Sequence, residues 1–272
     1  MSKNLLESDN NMMQYLRVYR QLLYMNFMVL VIYRSNFINS MLATVGWGLF
    51  SLYSVVILTA KTTEIFGWSR NELLLLNGYY GLIIGVFHVL LSRNLERFSS
   101  VIHNGQLDSI LIKPMDSQFM LSLWMVNYTS LARIIIAGWY VWYMGGILHI
   151  QLTLLSAIEF IALSITSLIL LYAIWFTVVS CTIWFTKLSN VVELMYNITG
   201  MARYPQEMYT QLAWYLFAFI LPLTLLITTP AKIYLGHGSL WDIFQLVCFS
   251  TIFFVLSRKF WKFALRYYTS AS

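Results

Sequence analysis

The chain has 272 residues, of which 59% are apolar, 17% aromatic and only 10% charged, and its net charge is +6. Soluble domains carry about 25% charged residues, and so few polar side chains cannot cover a water-facing surface. A soluble enzyme and a nucleic-acid-binding domain are therefore excluded, and the mean hydropathy of +0.69 makes a lipid bilayer the solvent for most of the chain.

Glu7 and Asp9 come early and Arg17 and Arg20 interrupt the stretch after them, so the N-terminus is expected not to be a signal peptide. Across residues 10–33, Met12, Met13, Leu16, Tyr19, Leu22 and Leu23 recur at helical spacing between Gln14, Arg17 and Arg20. This pattern predicts an amphipathic helix lying in the membrane interface, and residues 1–35, in which Arg34 interrupts the apolar run, form a cytoplasmic interfacial segment.

A spanning helix needs about 20 mainly apolar residues. The first such window is Phe37–Ala60, with a polar loop from Lys61 to Arg70 behind it. The second is Leu73–Leu91, closed by Arg93, Glu96 and Arg97. Residues 93–117 form the longest polar connection, and within it Phe98, Val101 and Ile102 lie among Arg97, Ser99 and His103 as a short amphipathic helix. Gly105 reads as its C-terminal cap, and Lys113-Pro114 ends the segment. Such a helix either docks Phe98, Val101 and Ile102 into a groove of another protein or lies passively at the interface.

The third span lies within Phe119–Leu148 and contains Arg133; the fourth covers Leu154–Phe185, with a tight turn at Lys187, Ser189 and Asn190. Val191–Met201 is apolar but short, Arg203-Tyr204-Pro205 breaks it, and Leu212–Thr229 is apolar again with Pro222 inside and Pro230 behind it. The preferred reading is a short fifth span and then a broken helix that re-enters the membrane, covered by protein or by a water-filled cavity. The alternative makes Leu212–Thr229 itself the span. The sixth window is Ile243–Leu256, and residues 259–272 form a cytoplasmic tail.

With the N-terminus cytoplasmic, the inner segments hold twelve of the Lys and Arg residues and the outer segments four, with Arg133 left in a span, which accounts for all 17. That bias supports an even number of crossings with both ends inside. The predicted fold is an all-α integral membrane domain over residues 36–258: six spans, an N-terminal interfacial helix and a re-entrant segment before the last span.

No Gly-Lys pair occurs, so the chain has no phosphate-binding loop of the G-x-x-x-x-G-K-S/T kind. His88, His103, His149 and His237 are scattered, without H-E-x-x-H or another zinc spacing. Cys181 and Cys248 lie inside apolar runs. Arg133, Glu159 and Glu193 fall within or near spans, where ionisable groups are costly and often functional. Arg133 and Glu193 either pair there or snorkel to headgroups. Trp47, Tyr53, Trp139, Trp142 and Trp175 either line a path or serve as belt and core aromatics.

The stretch from Ile102 to Pro114, IHNGQLDSILIKP, carries Gly105, Gln106, Leu107, Asp108, Lys113 and Pro114. It resembles the pattern I-x-x-G-E-L-D-x-x-L-x-R/K-P of the type-2 ABC transporter permease family, in its small six-span bacterial branch, with Gln106 in place of the usual Glu. Tyr33-Arg34-Ser35-Asn36-Phe37 resembles the family's Y-R-x-x-F before the first span, and Arg203-Tyr204-Pro205 with Pro222 and Pro230 resembles its outer region. The resemblance implies a half-transporter in the bacterial inner membrane. Two permease chains, identical or homologous, would pair above two separate ABC ATPase subunits. ATP and Mg would be bound by those subunits, and this chain would hold no cofactor or metal. The interfacial helix and the segment Arg97–Pro114 would face the ATPases, and ATP hydrolysis would drive export. A stand-alone secondary carrier or channel is the alternative; it needs inverted repeats and midplane ion ligands, neither of which is evident. A membrane enzyme lacks a catalytic cluster.

Overall fold

The computed structural model describes residues 2–60, 64–151, 153–185, 190–210 and 214–269, the side chains of residues 2–12, 58 and 214–219 excepted. Helix α1 (Ser2–Ile32) turns at Tyr33 into α2 (Arg34–Leu58). A two-stranded hairpin, Glu64–Ile65 with Trp68–Ser69, leads into α3 (Arg70–Phe87). A π-helical turn, His88–Ser92, passes the chain to α4 (Arg93–Glu96) and α5 (Phe98–His103), then to α6 (Gln106–Leu111) and α7 (Ser117–Leu123). After a break come α8 (Leu131–Ile147), α9 (Leu154–Ser180), α10 (Val191–Gly200), α11 (Trp214–Tyr234) and α12 (Leu240–Ala264).

Among the described residues, four helical stretches are long and apolar enough to cross a membrane: Arg34–Ile57, Arg70–His103, Leu154–Ile183 and Leu240–Ala264. A fifth is made by Ser117–Leu123 with Tyr128–Ile147, bent by 54°. In α11 the described apolar stretch is the shorter Ile220–Tyr234. The chain is an all-α, multi-pass membrane protein. The turn expected at Lys187 and Ser189, and the start of the loop expected at Lys61, lie outside the described residues.

Capping boxes start three of the long helices: Ser69 with Glu72 at α3, Thr153 with Ser156 at α9, and Ser239 with Asp242 at α12. Each satisfies amide groups that a helix end leaves bare. The three helices run parallel. Tyr79 hydrogen-bonds Ser164 at 2.9 Å near their starts, Ser250 donates to the Thr166 carbonyl at 3.1 Å, and Phe98, Phe176 and Trp261 meet edge-on at 5.5–5.7 Å near the far end.

α8 runs antiparallel to α3 and very close to it. Gly78, Gly81 and Gly85 lie on one stripe of α3; Cβ atoms at Gly78 and Gly85 would come within 2.5 Å of Tyr140 and 3.0 Å of Ile134. Small residues that let two backbones approach are the usual means of pairing helices in lipid, where apolar surface alone gives no preference.

The break expected near Pro222 and Pro230 is not inside α11, which is continuous through both prolines. A helical proline lacks the amide that would bond the carbonyl four residues earlier. For Pro230 that carbonyl is Leu226, and the Ser167 hydroxyl of α9 donates to it at 2.7 Å. The interruption falls where Arg203-Tyr204-Pro205 is expected to break the apolar run, at two 3-10 turns, Met201–Arg203 and Gln206–Tyr209. Gln206 donates to Thr228 and Glu207 pairs with Lys232 at 2.5 Å, which folds these turns back onto α11. Lys259 and Lys262, expected to lie in a separate tail, belong to the last turns of α12.

Candidate functional site

The connection at residues 93–117 does not start where the charged residues first appear. Arg93, Glu96 and Arg97 face outward while Leu95, Phe98 and Ile102 face in, so the second span continues as helix to His103. The continuation depends on two irregular stretches that fit each other. The π-turn at His88–Ser92 leaves the Val89 carbonyl free to accept from the Asn127 amide at 2.8 Å, at the break between α7 and α8. One turn later the Asn94 side chain donates to the Met125 carbonyl and accepts from the Met125 amide, both at 2.8 Å. In lipid such unpaired backbone groups need an internal partner, and here two breaks supply each other's.

The apolar side chains expected to anchor a partner are turned the other way. Phe98 and Leu107 are fully buried and Ile102 nearly so, while Val101 is half-buried against the same core. Phe98 is held between Phe176 and Trp261. Burial of these groups within the chain fixes α5 and α6 to α9 and α12, so Phe98 and Ile102 are not exposed anchors, and the outward face carries Arg97, Ser100, His103, Asn104, Gln106 and Ser109 with Leu111, Ile112 and Pro114. Gly105, with φ +65°, is the left-handed residue that turns α5 into α6. Lys113 lies over the Trp124 ring at 4.3 Å, closing a cleft between α4, α6 and α7. Asp108 engages Tyr268 of the C-terminal segment; burial first, and that carboxylate second, raise the Tyr268 phenol.

Asp116 gathers four elements at the start of α7. Its carboxylate caps α7 through the Phe119 amide at 3.0 Å and pairs with both terminal nitrogens of Arg258 from α12. Its own amide donates to the Tyr15 hydroxyl of α1 at 3.0 Å. Beside it Gln118 accepts from Arg258 and donates to Tyr172 of α9, and Trp261 donates to Ser117. Partial burial alone would raise the Asp116 carboxyl, but Arg258 and the Phe119 and Gln118 amides hold it below the ordinary carboxylate value.

The two ionisable residues expected to pair do not meet. Arg133 stands in the first turn of α8 and Glu193 in the first turn of α10, exposed, and no ion pair joins them among the described residues. The groups that act on Arg133 are instead Tyr80, Tyr196 and Arg203. Arg203 donates to the Gly200 carbonyl at 2.9 Å and lies over the Tyr80 ring at 5.5 Å. Tyr204 is half-buried, and Pro205, Pro222 and Pro230 are buried. Arg17, Arg20 and Arg34 are exposed on α1 and at the start of α2. Trp47, Tyr53, Trp139 and Trp142 lie on the outer surface while Trp175 is in the core, so the five aromatics do not form one path.

The family model described as ABC-2 family transporter protein matches residues 45–272. The chain belongs to this family. No curated protein and no solved structure matches it. As an ABC-2 transporter protein it is a membrane permease component of an ABC transporter, and membership implies association with an ABC ATPase. The match covers residues 93–117 and 201–234 and leaves α1 outside.

In this ABC-2 permease several residues that position the site carry no motif. Asn94, Asp116 and Arg258 find partners 31 and 142 positions away. One signal exists for Asp116: an acidic residue three positions before an apolar run is the mark of a helix start. For Asn94 there is none.

Proposed function

We propose that this chain is the membrane half of an ATP-driven exporter, paired with a second permease chain and coupled to two ATPase subunits at the face that carries residues 93–117. Family membership over residues 45–272 is the observation that carries this reading. The ATPases would bind ATP and Mg, and this chain would move cargo.

Six crossings fit the helix directions. α3, α9 and α12 run one way, and α2, the bent α7–α8 pair and the α10–α11 segment run the other. That alternation supports both termini on the inner side of a bacterial cell membrane, with α1 as an interfacial helix. The turns at Arg203–Pro205 then belong to the outer half, and α10 and α11 together make the fifth, interrupted crossing.

The docking surface for the ATPase is the polar one: Arg97, His103, Gln106 and their neighbours, presented by α5 and α6. ATP binding would move this surface, and its rigid attachment through Phe98 to α9 and α12 would pass the motion to the spans. A shift between two packings would open the path between the paired permeases.

Cysteine labelling tests the geometry. In a Cys181→Ser, Cys248→Ser background, His103→Cys is expected to react only from the inner side. Labelling from outside alone would end the coupling reading. Copurification is expected to bring an ATPase down with the chain, and transport driven by an ion gradient without ATP would favour the stand-alone carrier.

A further inference from the structure

Two arginines inside the membrane domain, Arg133 and Arg203, form no ion pair among the described residues. Arg133 extends between α2 and α3, where Gly48 and Gly85 leave room for its stem: a Cβ on either would lie 3.9 Å and 3.7 Å from Arg133 Cγ. Its Nε is buried without a hydrogen-bond partner. Gly85 is fifteen residues into the helix that begins at Arg70, about 22 Å along it at the usual rise per residue, which is within the hydrocarbon layer rather than at a headgroup.

The second cation, Arg203, lies over the ring of Tyr80 at 5.5 Å, on the same helix, α3, whose Gly85 the Arg133 stem touches. Among the described residues the ion pairs are Lys232–Glu207, His237–Glu72 and Arg258–Asp116, so neither arginine has a carboxylate. Between them stands Tyr80, and the cleft that opens onto Arg133 is lined on its far side by Ser51 and Asn77. Asn77 Oδ1, the atom that could accept from the guanidinium, instead accepts from the Ser51 hydroxyl at 3.3 Å, while the Asn77 amide donates to the Ser51 carbonyl.

A guanidinium does not shed its proton to escape burial, and one with a buried nitrogen left without a partner inside the bilayer is costly. A fold that only needed packing here would do better with Met or Leu. We infer that Arg133 and Arg203 form a binding site for an oxyanion, the phosphate or carboxylate head of an amphipathic molecule whose tail lies along the apolar surface of α2. The charge and the fork of donors of arginine suit such a head. The inference rests on the permease reading only where the molecule is cargo; a resident lipid headgroup has the same chemistry.

The test uses the full chain in nanodiscs of phosphatidylcholine, with dodecyl phosphate and phosphatidylglycerol as probes and native mass spectrometry to count what is retained. The wild type is expected to retain either probe about ten-fold more than R133Q or R203Q, with R133K in between and dodecyl maltoside retained equally by all. In neutral detergent R133Q is expected to melt no lower than the wild type, unlike the loss of a structural arginine. The probes separate the sources. Dodecyl phosphate that raises ATP turnover by the assembled transporter marks cargo; phosphatidylglycerol that stays bound without changing turnover marks a resident lipid. Equal retention by the wild type and both glutamine variants overturns the site. The retention assay contains no ATPase, so its failure is separate from failure of the exporter reading.

Discussion

Helix α2 and the helical stretch that α3 opens, Arg70–His103, are nearly equal in apolarity, with mean hydropathies of 1.6 and 1.8 over their best windows, yet 6% of one window is buried inside the chain and 72% of the other. Apolarity therefore gets a helix into the bilayer and says nothing about what it packs against. The difference lies in the small and polar residues. α3 sets Gly78, Gly81 and Gly85 against α8 and carries Asn77 and Tyr79 as hydrogen-bonding groups. α2 shows Leu42, Trp47, Leu49, Phe50, Tyr53 and Ile57 to its surroundings. In lipid, packing is decided by close approach and by polar pairing.

The comparison is broken most easily at glycine. A Cβ at Gly78 would sit 2.5 Å from Tyr140, whereas Gly46 of α2 has nothing within 4 Å. Gly78→Leu is expected to cost about 3 kcal/mol or more and to remove folded protein from detergent extracts, while Gly46→Leu leaves the thermal midpoint in place. Equal behaviour of the two would mean that α3 and α8 are not in contact.

The polar side of the contrast is next in size. Asn94→Leu removes both hydrogen bonds to Met125 and is expected to destabilise by about 2 kcal/mol. The same change at Asn39, exposed on α2, should move the midpoint by no more than about 0.5 kcal/mol. Thermal unfolding of the two variants in one detergent checks this.

Acid sharpens the same contrast, because α2 contains no carboxylate while Asp116 ties α7 to α12. The folded Asp116 carboxyl lies below its ordinary value. Its contribution is therefore complete above the unfolded carboxylate range, about pH 4, and is lost as pH falls through the folded value. For a partly exposed pair this amounts to about 1 kcal/mol. Asp116→Asn should flatten that part of a stability-versus-pH curve; an unchanged curve would remove the pair from the account. The smallest effect is expected on α2: Trp47→Ala and Phe50→Ala should leave the folding midpoint within about 0.5 kcal/mol.

Much of this division is legible in the residues. The apolar windows place the long helices, and Gly105 can be read from the sequence as the residue that ends a short helix. The illegible part comes from partners far away in the chain. Arg93, Glu96 and Arg97 look like the end of a span, but Leu95, Phe98 and Ile102 at spacings of three and four continue it, and that stripe becomes decisive only once Phe176 and Trp261 are known to receive it. Pro222 and Pro230 look like breaks because the sequence does not reveal Ser167 waiting for the Leu226 carbonyl. Arg133 and Glu193 invite pairing on opposite charge alone, and the chain half-buries one against α2 and α3 and leaves the other exposed on α10.

The π-turn at His88–Ser92, with Asn94 just after it, is joined to the gap at Trp124–Asn127 by three hydrogen bonds, one from backbone to backbone and two from the Asn94 side chain. Smoothing either flaw into regular helix would strand the other's carbonyl or amide in oil. The two spans are thus bolted together at their imperfections, like gear teeth that match only each other. Any working stroke must carry this joint as a single solid piece, and the bending has to be found where no such mesh exists.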